Sequence, residues 1–102
     1  MEDDVYNWGM ATPEAYSSVR RNALHVLNVN FAGEENRTRV IRFVCARIIH
    51  FNRHLPKGTK QTVRFDFVGQ FVSDKSLMIA RQIIEEESRR NGISVSVEFL
   101  TD

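Results

Sequence analysis

The sequence predicts an α+β chain, an N-terminal helical hairpin followed by a β-α-β unit, in the order α-α-β-α-β. Three observations carry this. Apolar residues recur at helical spacing up to about residue 55, then at period two over 62–68 and 93–100. Between the two strands, a helix is bracketed by a strong start and a strong stop. Two strands joined through a helix favour a parallel crossover, giving a small two-stranded sheet. A sheet of two strands is marginal alone, so a partner could complete it.

The first eleven residues read as an irregular arm pinned by Tyr6 and Trp8. A first helix is expected from Thr12 to about residue 30. Thr12 is a good N-cap, Pro13 suits the first helical position and Glu14 the positive end of the dipole. Ala15, Val19, Ala23, Val26 and Leu27 then follow at helical period. A second helix is expected over 36–54, with Val40, Ile41, Val44, Ile48, Phe51 and Leu55 on one side. Pro56 and Gly58 end it, and the two helices form a hairpin over 12–55.

In the first strand Val63, Phe65 and Phe67 share one face, and Arg64 and Asp66 the other. Ser73 is the expected N-cap of the next helix, with Val72 and Leu77 as a hydrophobic staple. Leu77, Ala80, Ile83 and Ile84 form its buried side, and Asn91-Gly92 stops it. The last strand alternates Ile93, Val95, Val97 and Phe99 with Ser94, Ser96 and Glu98.

A length of 102 residues fits a single domain spanning the whole chain. The single cysteine, Cys45, excludes an intrachain disulfide and any zinc site of several thiolates. It sits between Val44 and Ala46, and reads as a small buried hydrophobe. No apolar run is long enough to span a membrane, and the acidic start lacks the features of a signal peptide. Cytoplasm is therefore the expected site of action.

The net charge of +1 conceals an asymmetry. From Arg37 to Phe65 there are eight Lys or Arg and no Asp or Glu. Arg39, Arg42, Arg47, Arg53, His50 and His54 fall on one arc of the second helix, with Phe43 among them. Like charges repel on a helix, so an unbalanced cationic arc calls for an anion. Nucleic-acid phosphate is the commonest, and an exposed aromatic among arginines can stack on bases. The expected binding set is Arg39, Arg42, Phe43, Arg47, Arg53, Lys57, Lys60, Arg64 and Gln70. The competing reading neutralises the arc with Glu34, Glu35 and Glu85–Glu87.

His50, His54 and Asp66 are the candidate catalytic residues, for general acid/base work in phosphodiester cleavage. A metal site is not indicated. The histidines are four apart, but no protease-type Glu accompanies them and the arginines repel a cation. Asp66 and Glu98 could hold Mg²⁺ if they converged, and no other cofactor is expected.

The stretch Gly58-Thr59-Lys60-Gln61, the strand ending Asp66-Phe67-Val68-Gly69-Gln70, and Asn91-Gly92-Ile93 leading to Val97-Glu98-Phe99 carry a resemblance. Over about residues 55–100 the chain resembles C-terminal toxin modules of bacterial polymorphic toxin systems, of the contact-dependent growth inhibition or Rhs type. Val68 stands where that pattern has Arg before Gly-Gln. The resemblance implies a module delivered at the end of a larger exported protein and neutralised by a cognate immunity protein. It also implies a nuclease, with RNA the favoured substrate. The alternative is a non-catalytic interaction module, such as a homodimer joined through an exposed strand edge.

Overall fold

In the computed structural model, the residues described are 3–7, 14–18, 22–27 and 29–101. They form strands β1 (Asp3–Asn7), β2 (Glu14–Ser18) and β3 (Ala23–Leu27), helix α1 (Glu34–Asn52), β4 (Gln61–Asp66), α2 (Asp74–Arg90) and β5 (Val95–Leu100). The five strands make one sheet in chain order. β1–β2 and β2–β3 pair antiparallel, while β3–β4 and β4–β5 pair parallel. The class is α+β, but the order α-α-β-α-β is wrong.

The correction falls on the N-terminal third. Strands β2 and β3 stand where a helix over 12–30 was expected, and β1 lies within the expected irregular arm. Trp8, Thr12, Pro13 and Val19 lie outside the described residues. The physical reason is clearest in β3. Ala23, Leu24, His25 and Val26 are all buried, so this strand is covered on both faces. A strand buried on both faces shows no alternation, and its apolar residues can fall at helical spacing. Pairing with β4 then overrides local propensity. No hairpin of helices forms over 12–55, and the sheet is not two-stranded. Its missing strands are β1 to β3 of the chain itself, so no partner is needed to complete it.

Expected and observed bounds agree within two residues from 36 to 100. α1 buries Val40, Ile41, Val44, Ile48 and Phe51. In β4 the odd positions Gln61, Val63 and Phe65 are buried and the even ones half-exposed. Ser73 caps α2, its hydroxyl accepting from the Ser76 N–H at 3.2 Å. Gly92, at φ 70°, takes the left-handed turn after α2, a conformation glycine adopts at little cost.

α1 and α2 pack on each other, which places both on one face of the sheet. Two right-handed crossovers moving β3→β4→β5 in one direction produce that arrangement. Between the layers lies a cluster in which Leu24, Val26, Val63 and Phe65 of the sheet meet Val44, Ile48, Ala80 and Ile84 of the helices. Phe31, Phe65, Phe67 and Phe99 close one end of it, with ring centroids 5.1–6.0 Å apart. At the other end lies Gln61, a fully buried polar residue. Its Oε1 accepts from Asn52 Nδ2 at 2.6 Å, and its Nε2 donates to the Ile48 carbonyl at 3.4 Å. A buried amide is tolerable only when so satisfied. These bonds tie the last turn of α1 to the first residue of β4.

Phe65→Ala removes the ring at the centre of the aromatic end and should cost about 3–5 kcal/mol in urea unfolding. Thr62→Ala, on the half-exposed face of the same strand, should cost less than about 1 kcal/mol. Similar costs for the two would contradict the assignment of faces.

Candidate nucleic-acid interface

The core fixes which side of α1 is left for solvent. With Val40, Val44, Ile48 and Phe51 turned to the sheet, Arg39, Arg42, Ala46 and Arg53 are left exposed. From Arg39 to Arg53 this ridge runs about 21 Å, at 1.5 Å per residue. The turn over 53–60 continues it with exposed Lys57 and Lys60. That turn is braced by Thr59, whose N–H and hydroxyl both donate to the Pro56 carbonyl, at 3.1 and 2.6 Å. Along the first three turns of α1, Arg39, Arg42, Phe43 and Ala46 border an open depression of about 840 Å³, with Glu34, Glu35 and Thr38.

The carboxylates that could neutralise the ridge mostly do not. Glu86 and Glu87 pair with Arg90 on their own helix, at 3.1 and 3.5 Å. Glu35 reaches Arg39 at 3.9 Å, a solvent-exposed i,i+4 pair of small energetic weight. Among the described residues, Arg42, Arg53, Lys57 and Lys60 make no ion pair.

Other members of the expected set are placed differently. Phe43 is half-buried and packs against the core, and two guanidinium nitrogens of Arg47 are buried. Neither is an open platform. Arg64 lies on the sheet face away from the helices, where its Nη2 meets Glu98 Oε1 across β4–β5 at 3.1 Å. Asp66 is on that same face, and its Oδ1 accepts from the Val68 N–H at 3.0 Å, a local turn. Gln70 is exposed in the loop that follows.

His50 and His54 come together edge to face, with ring centroids 5.4 Å apart. They sit at the end of α1 that Asn52 ties to Gln61, the start of β4. Asp66 is five residues further along that strand, about 16 Å away by strand rise. It also lies on the opposite face of the sheet. The structure therefore brings the two histidines together with Arg53, and leaves Asp66 and Gln70 apart from them. Asp66 and Glu98 do not converge either. Arg64 stands opposite Glu98 in register, and Leu100 opposite Asp66. Among the described residues no three His, Cys, Asp or Glu are placed to hold a metal.

The Asn52–Gln61 link was missed at sequence level, although a signal was present. Gln61 continues the period-two face of Val63, Phe65 and Phe67, and so had to be buried. Comparisons with protein-family models, with curated proteins and with solved structures find no significant match to this chain. No helix among the described residues is long and apolar enough to cross a membrane.

Cys45 faces the α1–α2 contact rather than the ridge. Burial, with the Glu87 carboxylate as a second cause, pushes its thiol up from 9.0 to about 11. The thiolate is the reactive form, so at pH 8 its population should be about 100-fold below that of an unshifted thiol. Alkylation by iodoacetamide, followed by mass spectrometry, should be slow at pH 8 in the folded chain. It should quicken as pH rises towards 11, or on unfolding in urea. Rapid alkylation of folded protein at pH 8 would contradict the buried placement.

Proposed function

We infer that the chain is a small nucleic-acid-directed module that binds single-stranded RNA along the exposed ridge of α1 and the turn after it. The observation that carries this reading is the set Arg42, Arg53, Lys57 and Lys60, exposed and without carboxylate partners among the described residues. Solvated surfaces ordinarily mix charges, so a cationic strip is balanced from outside the chain. Phosphate is the anion that supplies repeated charge along such a length.

The histidine pair extends the reading to cleavage. One imidazole takes the proton of a ribose 2′-hydroxyl, whose oxygen attacks the adjacent phosphorus. The phosphorus–5′-oxygen bond breaks, and the second histidine protonates the leaving oxygen. The products are a 2′,3′-cyclic phosphate and a 5′-hydroxyl end. Arg53 would offset charge developing on the phosphoryl oxygens. The requirement for a 2′-hydroxyl is what favours RNA over DNA. The resemblance to polymorphic-toxin tips supplies a setting for this activity. In that setting a larger exported protein delivers the module to the cytoplasm of a target cell, and an immunity protein masks the strip.

Fluorescence anisotropy with a labelled RNA oligonucleotide tests binding. Four cations on a single strand predict a slope of log K against log salt of about −3, and Arg42→Gln should make it shallower by about 0.7. In a gel assay containing chelator, His50→Gln and His54→Gln should each slow cleavage by about 10²–10⁴-fold while leaving binding intact. No binding at low salt would overturn the whole reading. Binding with intact RNA would leave a binder and remove the nuclease.

A further inference from the structure

The outward side of α2 carries a pattern of its own. Asp74, Arg81, Glu85 and Arg89 are spaced to form one stripe along it, alternating in sign, beside the free edge of β5. Asp74 and Arg81 border a hollow with Phe99 and Thr101. Glu85 and Arg89 border a second, of about 460 Å³, with Gly92, Ile93, Ser94 and Val95. Among the described residues none of these four charges enters an ion pair. Ahead of α2, Phe71 is the most exposed large apolar residue described, at 90%.

Adding a strand to β5 is not what this surface is built for. The Gln61 N–H bonds the Ser94 carbonyl and the Phe67 N–H the Leu100 carbonyl, so the even-numbered β5 residues bond β4. The odd ones point outward. At the centre of that edge Arg81 Nη2 donates to the Val97 carbonyl at 3.3 Å, with its guanidinium 5.0 Å from the Phe99 ring centroid. A charged side chain laid on an edge strand in this way discourages ladder formation.

The stripe is self-complementary. Turned antiparallel about a two-fold axis at the level of Gln82 and Ile83, α2 brings Asp74 to within about 2–3 Å of the level of the partner's Arg89, and Arg81 to within about 2–3 Å of the level of the partner's Glu85, offsets that these long side chains span. The same rotation carries Phe71 to the level of the partner's Gly92–Val95 hollow. Arg81 need not leave the Val97 carbonyl, because a guanidinium has five N–H donors. A heterologous partner would have no reason to match the sequence of signs read backwards. An isologous interface requires that match. We propose that two copies of this chain associate through α2, antiparallel, with Phe71 of each seated in the Gly92–Val95 hollow of the other. This does not depend on RNA binding, which uses the outer side of α1.

Sedimentation velocity from about 5 to 500 µM should show a monomer–dimer equilibrium, with Kd about 10–100 µM, the range of a weak, transient contact. Phe71→Ser, at a site too exposed to affect folding, should weaken it by about tenfold or more. Arg81→Glu and Glu85→Arg each set like charges across the axis and should each abolish the dimer over most of that range. An equal mixture of the two single variants should recover it, since each then meets its opposite. Three outcomes would overturn the proposal. They are a monomer at every concentration, a dimer indifferent to Phe71→Ser and to both reversals, or a mixture that fails to recover.

Discussion

The parallel pairing of β3 with β4 is the contact on which the rest of the structure depends. Leu24 stands opposite Val63, and Val26 opposite Phe65. All four side chains are fully buried beneath the helices. This pair joins the antiparallel half of the sheet to the parallel half. It also forces residues 29–60 into a crossover, which brings α1 across the sheet. With α2 completing a second crossover in the same direction, both helices occupy one face. Each element then has one side spoken for by burial. The chemistry is distributed over the sides that remain.

Three surfaces emerge from that division, and they differ in charge. The outer side of α1 is cationic from Arg42 to the turn after the helix, with Glu86 and Glu87 committed to Arg90. The sheet face away from the helices carries a matched cross-strand pair, Arg64 with Glu98. The outward side of α2 alternates in sign. The Asn52–Gln61 bond matters more than its size, because it sets where α1 ends relative to β4. It thereby places His50, Arg53 and His54 at the same end of the molecule as Lys57 and Lys60. A catalytic set that also used Asp66 would have to span the length of β4 and cross the sheet.

The legible and illegible parts of the sequence divide along burial. β4, α2 and β5 have one buried side each, so Val63-x-Phe65-x-Phe67 and the Leu77, Ala80, Ile84 spacing report their periods directly, although Ile83, expected on the same buried side, is exposed. Ser73 and Gly92 mark ends through local backbone chemistry, which needs no tertiary context. β3 is buried on both sides, and its residues Ala23 to Leu27 contain no alternation to read. Thr12, Pro13 and Glu14 form a genuine helix-start pattern, yet Glu14 begins β2. Local preference there yields to the apolar area buried when β3 docks between β2 and β4. At the site, the exposed arginines were legible from the helical wheel. The half-burial of Phe43 and Arg47 was not, since a wheel gives direction without depth. The separation of Asp66 from the histidines follows from topology, which a wrong strand count could not supply.

The most direct test of this account is the backbone conformation of residues 14–27, read by NMR on labelled protein. β-type secondary shifts over 14–18 and 23–27, with interstrand contacts joining Leu24 to Val63 and Val26 to Phe65, are the predicted result. Helical shifts across 14–27, with β4 lacking a neighbour on the side away from β5, would contradict it.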